Sequence, residues 1–176
     1  VKWVHRFSLQ NVYSTMGLDR VATLWGAGQR YGWPVLVIDG GTALTFTAGA
    51  EGAFVGGAIV LGMRSHLAAL HSTTAALPMI SAPTSLPPRW AVDTPSAIQS
   101  GVVHTLLASI DNYIQSWEKQ YPQSAVIFTG GDGDYLYRLH QQHTKQNQAL
   151  LNRTWFEPNL MFWGIVNYRN EATRAL

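Results

Sequence analysis

The strongest constraint on this chain lies between Val35 and Thr47. Val35, Leu36, Val37 and Ile38 form an apolar run that ends on Asp39. Gly40, Gly41 and Thr42 follow, then Ala43 to Thr47 with threonine at every second place. Apolar, β-branched runs of this length read as strands. Glycines between two strands mark a tight hairpin, because glycine accepts positive φ without steric penalty. Such a turn also lets a ligand approach the main chain, with N–H groups facing its oxygens. Thr42 adds a hydroxyl, and Asp39 can hold a cation beside phosphates. An ordinary hairpin with an Asp-fixed turn uses the same residues, so the motif alone leaves both readings open.

The 176 residues suit one large domain or two small lobes. Charged residues are 12% against about 25% in ordinary domains, and the chain holds seven Trp and seven Tyr. Both point to a face buried against a partner, such as a second copy. Net charge is +2 and the twelve Lys and Arg are scattered, which argues against nucleic acid. There is no Cys, so disulfide and thiolate chemistry are excluded. No apolar run approaches about 20 residues, and no long apolar h-region opens the chain. These features fit a cytoplasmic protein that does not enter a membrane.

Residues 1–16 show no clean period. Gly17-Leu18-Asp19-Arg20 then opens a helix with Asp19 as its N-cap, and Val21, Leu24 and Trp25 form the apolar face. After the hairpin, Ala53 to Val60 reads as a third strand, whose paired Gly56 and Gly57 signal close backbone approach. A helix over Met63 to Ala76 precedes a proline-rich loop at 77–93. Thr94 as N-cap and Pro95 at the first position start the longest helix, 96–119, or about 36 Å. Ala125 to Thr129 is a buried strand. Gly130-Gly131-Asp132-Gly133 breaks it before a helix at Tyr135–His140, a usual place for a nucleotide. Residues 141–149 read as solvated, Trp155 to Glu157 as a last strand and Leu160 to Tyr168 as a last helix. The order is an α/β plan with helices on a mixed sheet.

The glycine-bearing turns at 39–42, 49–52, 56–57 and 130–133 cluster at strand ends and favour a phosphate ligand. Neither the lysine-bearing Gly-x-x-x-x-Gly-Lys loop nor Gly-x-Gly-x-x-Gly is present, which excludes two common nucleotide motifs. Asp19 is the candidate general base and Arg20 can pair with a carboxylate or phosphate. A helix-capping Asp beside a surface Arg is the plain alternative. His140 and His143 can share a helix face, but no carboxylate stands near them in sequence.

Six motifs now stand in order: Gly17 to Arg20, Asp39 to Thr45, Gly56 to Ile59, Leu70 to Pro78, Thr94 to Gly101 and Thr129 to Asp132. The series closely resembles the type III pantothenate kinases of the acetate and sugar kinase/Hsp70/actin superfamily. It covers nearly the whole chain from about Tyr13. The resemblance implies a ribonuclease H-like, actin/Hsp70-type lobe and ATP-dependent phosphorylation of pantothenate, the first step of coenzyme A synthesis. It implies substrate contacts at Tyr13, Gly17, Leu18, Asp19, Arg20 and Thr94, with Asp19 as base. It also implies a monovalent cation (potassium or ammonium) at Asp39, ATP phosphate at Gly41 and Thr42, adenosine near Gly130 and Gly131, ATP with magnesium, and a homodimer.

The Asp-x-Gly-Asn-Thr phosphate loop that such kinases carry in a first lobe is absent from this sequence. The expectation is therefore an incomplete first lobe: residues 1–34 as its remnant with the substrate segment, and 35–176 as the C-terminal ATPase lobe. Two other readings stand beside it. One is a remnant that dimerises or binds a partner without transferring phosphate. The other is a related kinase for another small hydroxy substrate. Leu61 stands where many relatives have Pro, and Gly40 where Ala is more usual.

Overall fold

A computed structural model describes residues 8–144 and 148–174. Trp3, Val4 and Phe7, which carry no clear period, lie outside the described residues. The apolar run becomes β1 (Val35–Gly40), the central strand of a five-stranded sheet. β2 (Ala43–Ala50) and β3 (Ala53–Leu61) follow it as an antiparallel meander. β4 (Ala125–Thr129) runs parallel to β1, and β5 (Thr154–Phe156) parallel to β4, giving the order β3-β2-β1-β4-β5. Helices cover both faces, so Val35 to Ile38 are all buried and the strand shows no apolar-polar alternation.

The two faces carry separate cores. Val35 and Val37 pack with Val21, Leu24 and Trp25 of α1 (Leu18–Tyr31) and with Leu160 of α6 (Leu160–Arg174). Leu36 and Ile38 pack on the other side. There they meet α2 (Met63–Thr73), α3 (Thr94–Gln120) and α4 (Gly133–His143). A four-residue α5 (Gln148–Leu151) adds Leu150 to that core. The helix α1 thus shares a core with the sheet, and its N-terminal end stands over the β1–β2 rows.

Local capping departs from expectation in three places. The cap of α3 is Asp93, whose carboxylate accepts from the Ser96 N–H at 2.9 Å; Thr94 is the first helical residue. That bond holds the Asp93 carboxyl below its ordinary range. The cap of α1 is Gly17, not Asp19: the Val21 N–H bonds to the Gly17 carbonyl, which places Asp19 inside the first turn. The helix α2 ends at Thr73, short of Ala76, where the Thr73 and Thr74 hydroxyls turn back onto the Ala69 and Leu70 carbonyls. Within the stretch 141–149, α4 extends to His143 and α5 starts at Gln148.

Candidate active site

Period two along the hairpin determines what gathers at its end. Val35, Val37 and Asp39 share one face of β1, and their antiparallel partners are Gly49, Thr47 and Thr45. In the next strand, Thr45 faces Ile59 and Thr47 faces Gly57. The helix α1 lies over this face, and its first turn brings Asp19 and Arg20 to these rows. Burial raises the Asp39 carboxyl above its ordinary value, and the neighbouring Asp19 charge raises it further. Both causes disfavour the ionised form of Asp39, and a positive charge beside it would favour that form. The turn leaves little room behind Asp39. Gly130 has φ of 87°, and a Cβ there would stand 2.5 Å from the Gly40 carbonyl oxygen.

Arg20 is buried and held by three acceptors. Its Nε donates to Thr47 Oγ1 at 3.1 Å, its Nη1 to the Tyr13 hydroxyl at 2.8 Å and its Nη2 to the Phe46 carbonyl at 3.5 Å. Among the described residues no carboxylate lies within ion-pair distance of it. Tyr13, 42% exposed, leans its ring edge-on against Phe54. Gly17, Leu18 and Asp19 stay exposed at the start of α1. Tyr13, Gly17, Leu18, Asp19, Arg20 and Asp39 therefore meet on one face of the sheet.

The glycine turn has a second side. A cavity of about 210 Å³ is lined by Gly41, Thr42, Arg64, Ser65, Gly131 and Asp132. It sits where the ends of β1 and β4 meet the start of α2, the position at which open α/β sheets take ligands. The Gly41 N–H already donates to the Ala43 carbonyl at 3.0 Å, so Gly41 brings its lack of a side chain rather than a free donor. The Thr42 carbonyl is taken by the Gly62 N–H and the Ser65 hydroxyl, while the Thr42 side chain remains exposed. Arg64 reaches over the cavity to Asp132 at 3.1 Å.

Thr94 stands apart. It is exposed at the start of α3, a helix that packs on the sheet face opposite α1. Gly57 does make the close approach that the paired glycines signal, to the Phe46 carbonyl and Arg20. Sequence reasoning did not single out Thr47 or Arg64. Thr47 could have been found from the period of the hairpin; Arg64 had only its place after Gly62 at a helix start. The His140–His143 pair does find a carboxylate, from α3. Asp111 receives both rings at 3.2 and 3.0 Å, yet no group of three residues fit to hold a metal occurs among the described residues.

A five-stranded sheet between two helical layers, with a glycine turn at the carboxyl end of β1, defines a lobe of the actin/Hsp70 class. A solved Baf family transcriptional activator from Campylobacter jejuni shares this fold, with a TM-score of 0.69 and 20% identity over 97% of this chain and 71% of that one. The profile of the family described as Type III pantothenate kinase matches residues 2–116. A Type III pantothenate kinase of a Synechococcus species is 45% identical over 177 residues, 95% of this chain and 69% of that protein. Those of a Nostoc and a Synechocystis species are 45% and 44% identical; they match 89% and 90% of this chain but 57% and 61% of their own lengths. The chain belongs to the type III pantothenate kinase family. It spans roughly three fifths to two thirds of these relatives. Membership of a kinase family implies ATP and a divalent metal. No helix among the described residues is long and apolar enough to cross a membrane.

Proposed function

We propose that this chain supplies the pantothenate-binding and phosphate-turn half of an ATP-dependent pantothenate kinase of the cytoplasm, with the substrate lying between α1 and the β1–β2 hairpin. The observation that carries the reading is Arg20. A guanidinium that is buried without a carboxylate partner is costly. It becomes favourable when an anion such as the pantothenate carboxylate arrives. Asp19 then stands one residue away, exposed and within Coulombic reach of Asp39.

Phosphoryl transfer needs positioning, charge neutralisation and a base for the attacking hydroxyl. Asp19 accepts the hydroxyl proton as that oxygen bonds to phosphorus and the bond to the departing ADP oxygen breaks. Thr42 orients a phosphate with its exposed hydroxyl, and Gly41, Gly130 and Gly131 leave room for the nucleotide. Asp39 holds a monovalent cation that offsets its own charge and that of Asp19. When bound, ATP supplies the phosphoryl group and magnesium neutralises its charge. Residues 1–34 serve as the substrate segment and residues 35–176 as the ATPase lobe.

Thr94 belongs to the same site through a second copy of the chain. It cannot reach Arg20 across the sheet, but Trp90 and Val92 beside it are 89% and 102% exposed. Apolar side chains so bare are a surface that a partner covers. This supports a homodimer whose Thr94 enters the partner's site.

The test is ATP-dependent phosphorylation of pantothenate by the complete gene product with magnesium and potassium. Asp19→Asn should lower kcat at least a hundredfold while leaving the melting curve within about 1 kcal/mol. Near-normal turnover in that variant would refute the role of Asp19, and inactivity of the unmutated protein would refute the function.

A further inference from the structure

A guanidinium has five N–H donors in a flat fork. In Arg20 three of them are used: Nε on Thr47, Nη1 on Tyr13 and Nη2 on Phe46. Two remain, one on each terminal nitrogen, and they suit the two oxygens of one carboxylate. Whether that pair is aimed depends on what fixes the plane of the fork. The Nε bond does this most directly, because it sits at the root of the guanidinium and goes to a side chain that cannot move away. Thr47 is 1% exposed, and a β-branched residue is stiff about χ1.

A second strand completes the seat. Thr47 pairs with Gly57. A Cβ on Gly57 would stand 2.3 Å from the Phe46 carbonyl oxygen and 2.5 Å from Arg20 Nη2, so the bare Cα leaves room both for the β2 main chain and for the guanidinium that donates to that carbonyl. Arg20, Thr47 and Gly57 come from three different elements and are 27 and 10 residues apart in sequence, yet form one contact.

We propose that Thr47, with the bare Cα of Gly57 beside it, is a positioning residue that sets the preference of this site for a carboxylate over a neutral group. The inference rests on the reading of Arg20 as the anchor of pantothenate. Valine at position 47 keeps the shape and removes the acceptor. Arg20 then loses its fixed plane and can bury Nε–H only by turning, which misaligns the two free donors. Serine keeps the acceptor.

Calorimetric titration of the complete gene product with pantothenate, and with the alcohol in which CH2OH replaces its carboxylate, tests this. The unmutated protein should prefer the acid. Thr47→Val should weaken pantothenate about tenfold and leave the alcohol unchanged, while Thr47→Ser stays near the unmutated value. If the valine variant fails to melt cooperatively, Thr47→Cys, a weak acceptor of similar size, carries the same expectation. An acid-to-alcohol ratio that survives Thr47→Val overturns the proposal and leaves the function standing. Equal weakening of both ligands makes Thr47 merely structural and also overturns it. An unmutated protein with no preference for the acid overturns the anchoring role of Arg20, and the proposal with it.

Discussion

Gly26→Ala is the most direct test of how α1 is seated. Helix propensity alone favours alanine in the middle of α1 by about 1 kcal/mol. Packing opposes it. A Cβ on Gly26 would stand 2.6 Å from the Leu160 carbonyl oxygen and 2.7 Å from the Gly164 nitrogen, both main-chain atoms of α6. Ordinary contact begins at 3.4 Å, so the two helices must separate by about 0.8 Å. Main chain cannot swing aside as a side chain can, which puts the overpacking cost near the upper end of its usual range, about 3 kcal/mol. The net loss is therefore about 2 kcal/mol. For a chain of this size that is a fall in Tm of about 4–8 °C. Urea unfolding followed by tryptophan fluorescence reads it directly. Because α1 carries Asp19 and Arg20, pantothenate affinity should fall as well, at a position that touches no ligand. Gly164→Ala strikes the same crossing from the other helix, so the double variant should lose less than the sum of the two. A Gly26→Ala variant more stable by about 1 kcal/mol would show that propensity wins and that the α1–α6 crossing is not backbone-close.

Two further outcomes can be measured. The raised Asp39 carboxyl ionises later in the folded than in the unfolded chain, so its ionisation costs stability as pH rises from the ordinary value of 3.8 through the folded one. Asp39→Asn should then raise Tm at pH 7, show no gain below 3.8, and abolish the stabilisation by potassium expected of the unmutated protein; thermal melts across pH and salt decide this. Arg64→Ala should weaken ATP several-fold without changing pantothenate affinity, because it opens only the cavity at Thr42 and Asp132. Equal effects on both ligands would remove Arg64 from the nucleotide side.

What the sequence made legible was local. The run at 35–38, the turn at 39–42 and the four-residue spacing of α3 each state their own structure, and the order of elements follows from them. Caps were less legible: Asp93 and Thr94 are both good capping residues, and only the backbone reveals that the carboxylate reaches the Ser96 N–H. Least legible were contacts between distant segments. The histidines of α4 have no carboxylate near them in sequence, yet Asp111 lies between them once α3 and α4 pack. The Gly41 N–H is spent inside the hairpin, which no motif states. The grip of Thr47 on Arg20 depends on register, and register is fixed by the whole sheet and α1 together.

The seat of Arg20 extends to β3, an edge strand whose outer side, among the described residues, is met by a single bridge from Gln10 to Ala53 at its start. Edge strands open more readily than central ones. Each time β3 lifts away from β2, Gly57 leaves Nη2 and the row holding Thr47 loosens. A ligand that needs Arg20 in place binds only while that edge is closed. Occupancy of the site and fraying of the sheet are then two readings of one equilibrium, so that the ligand should slow amide exchange between Phe54 and Ile59, well outside any residue it touches.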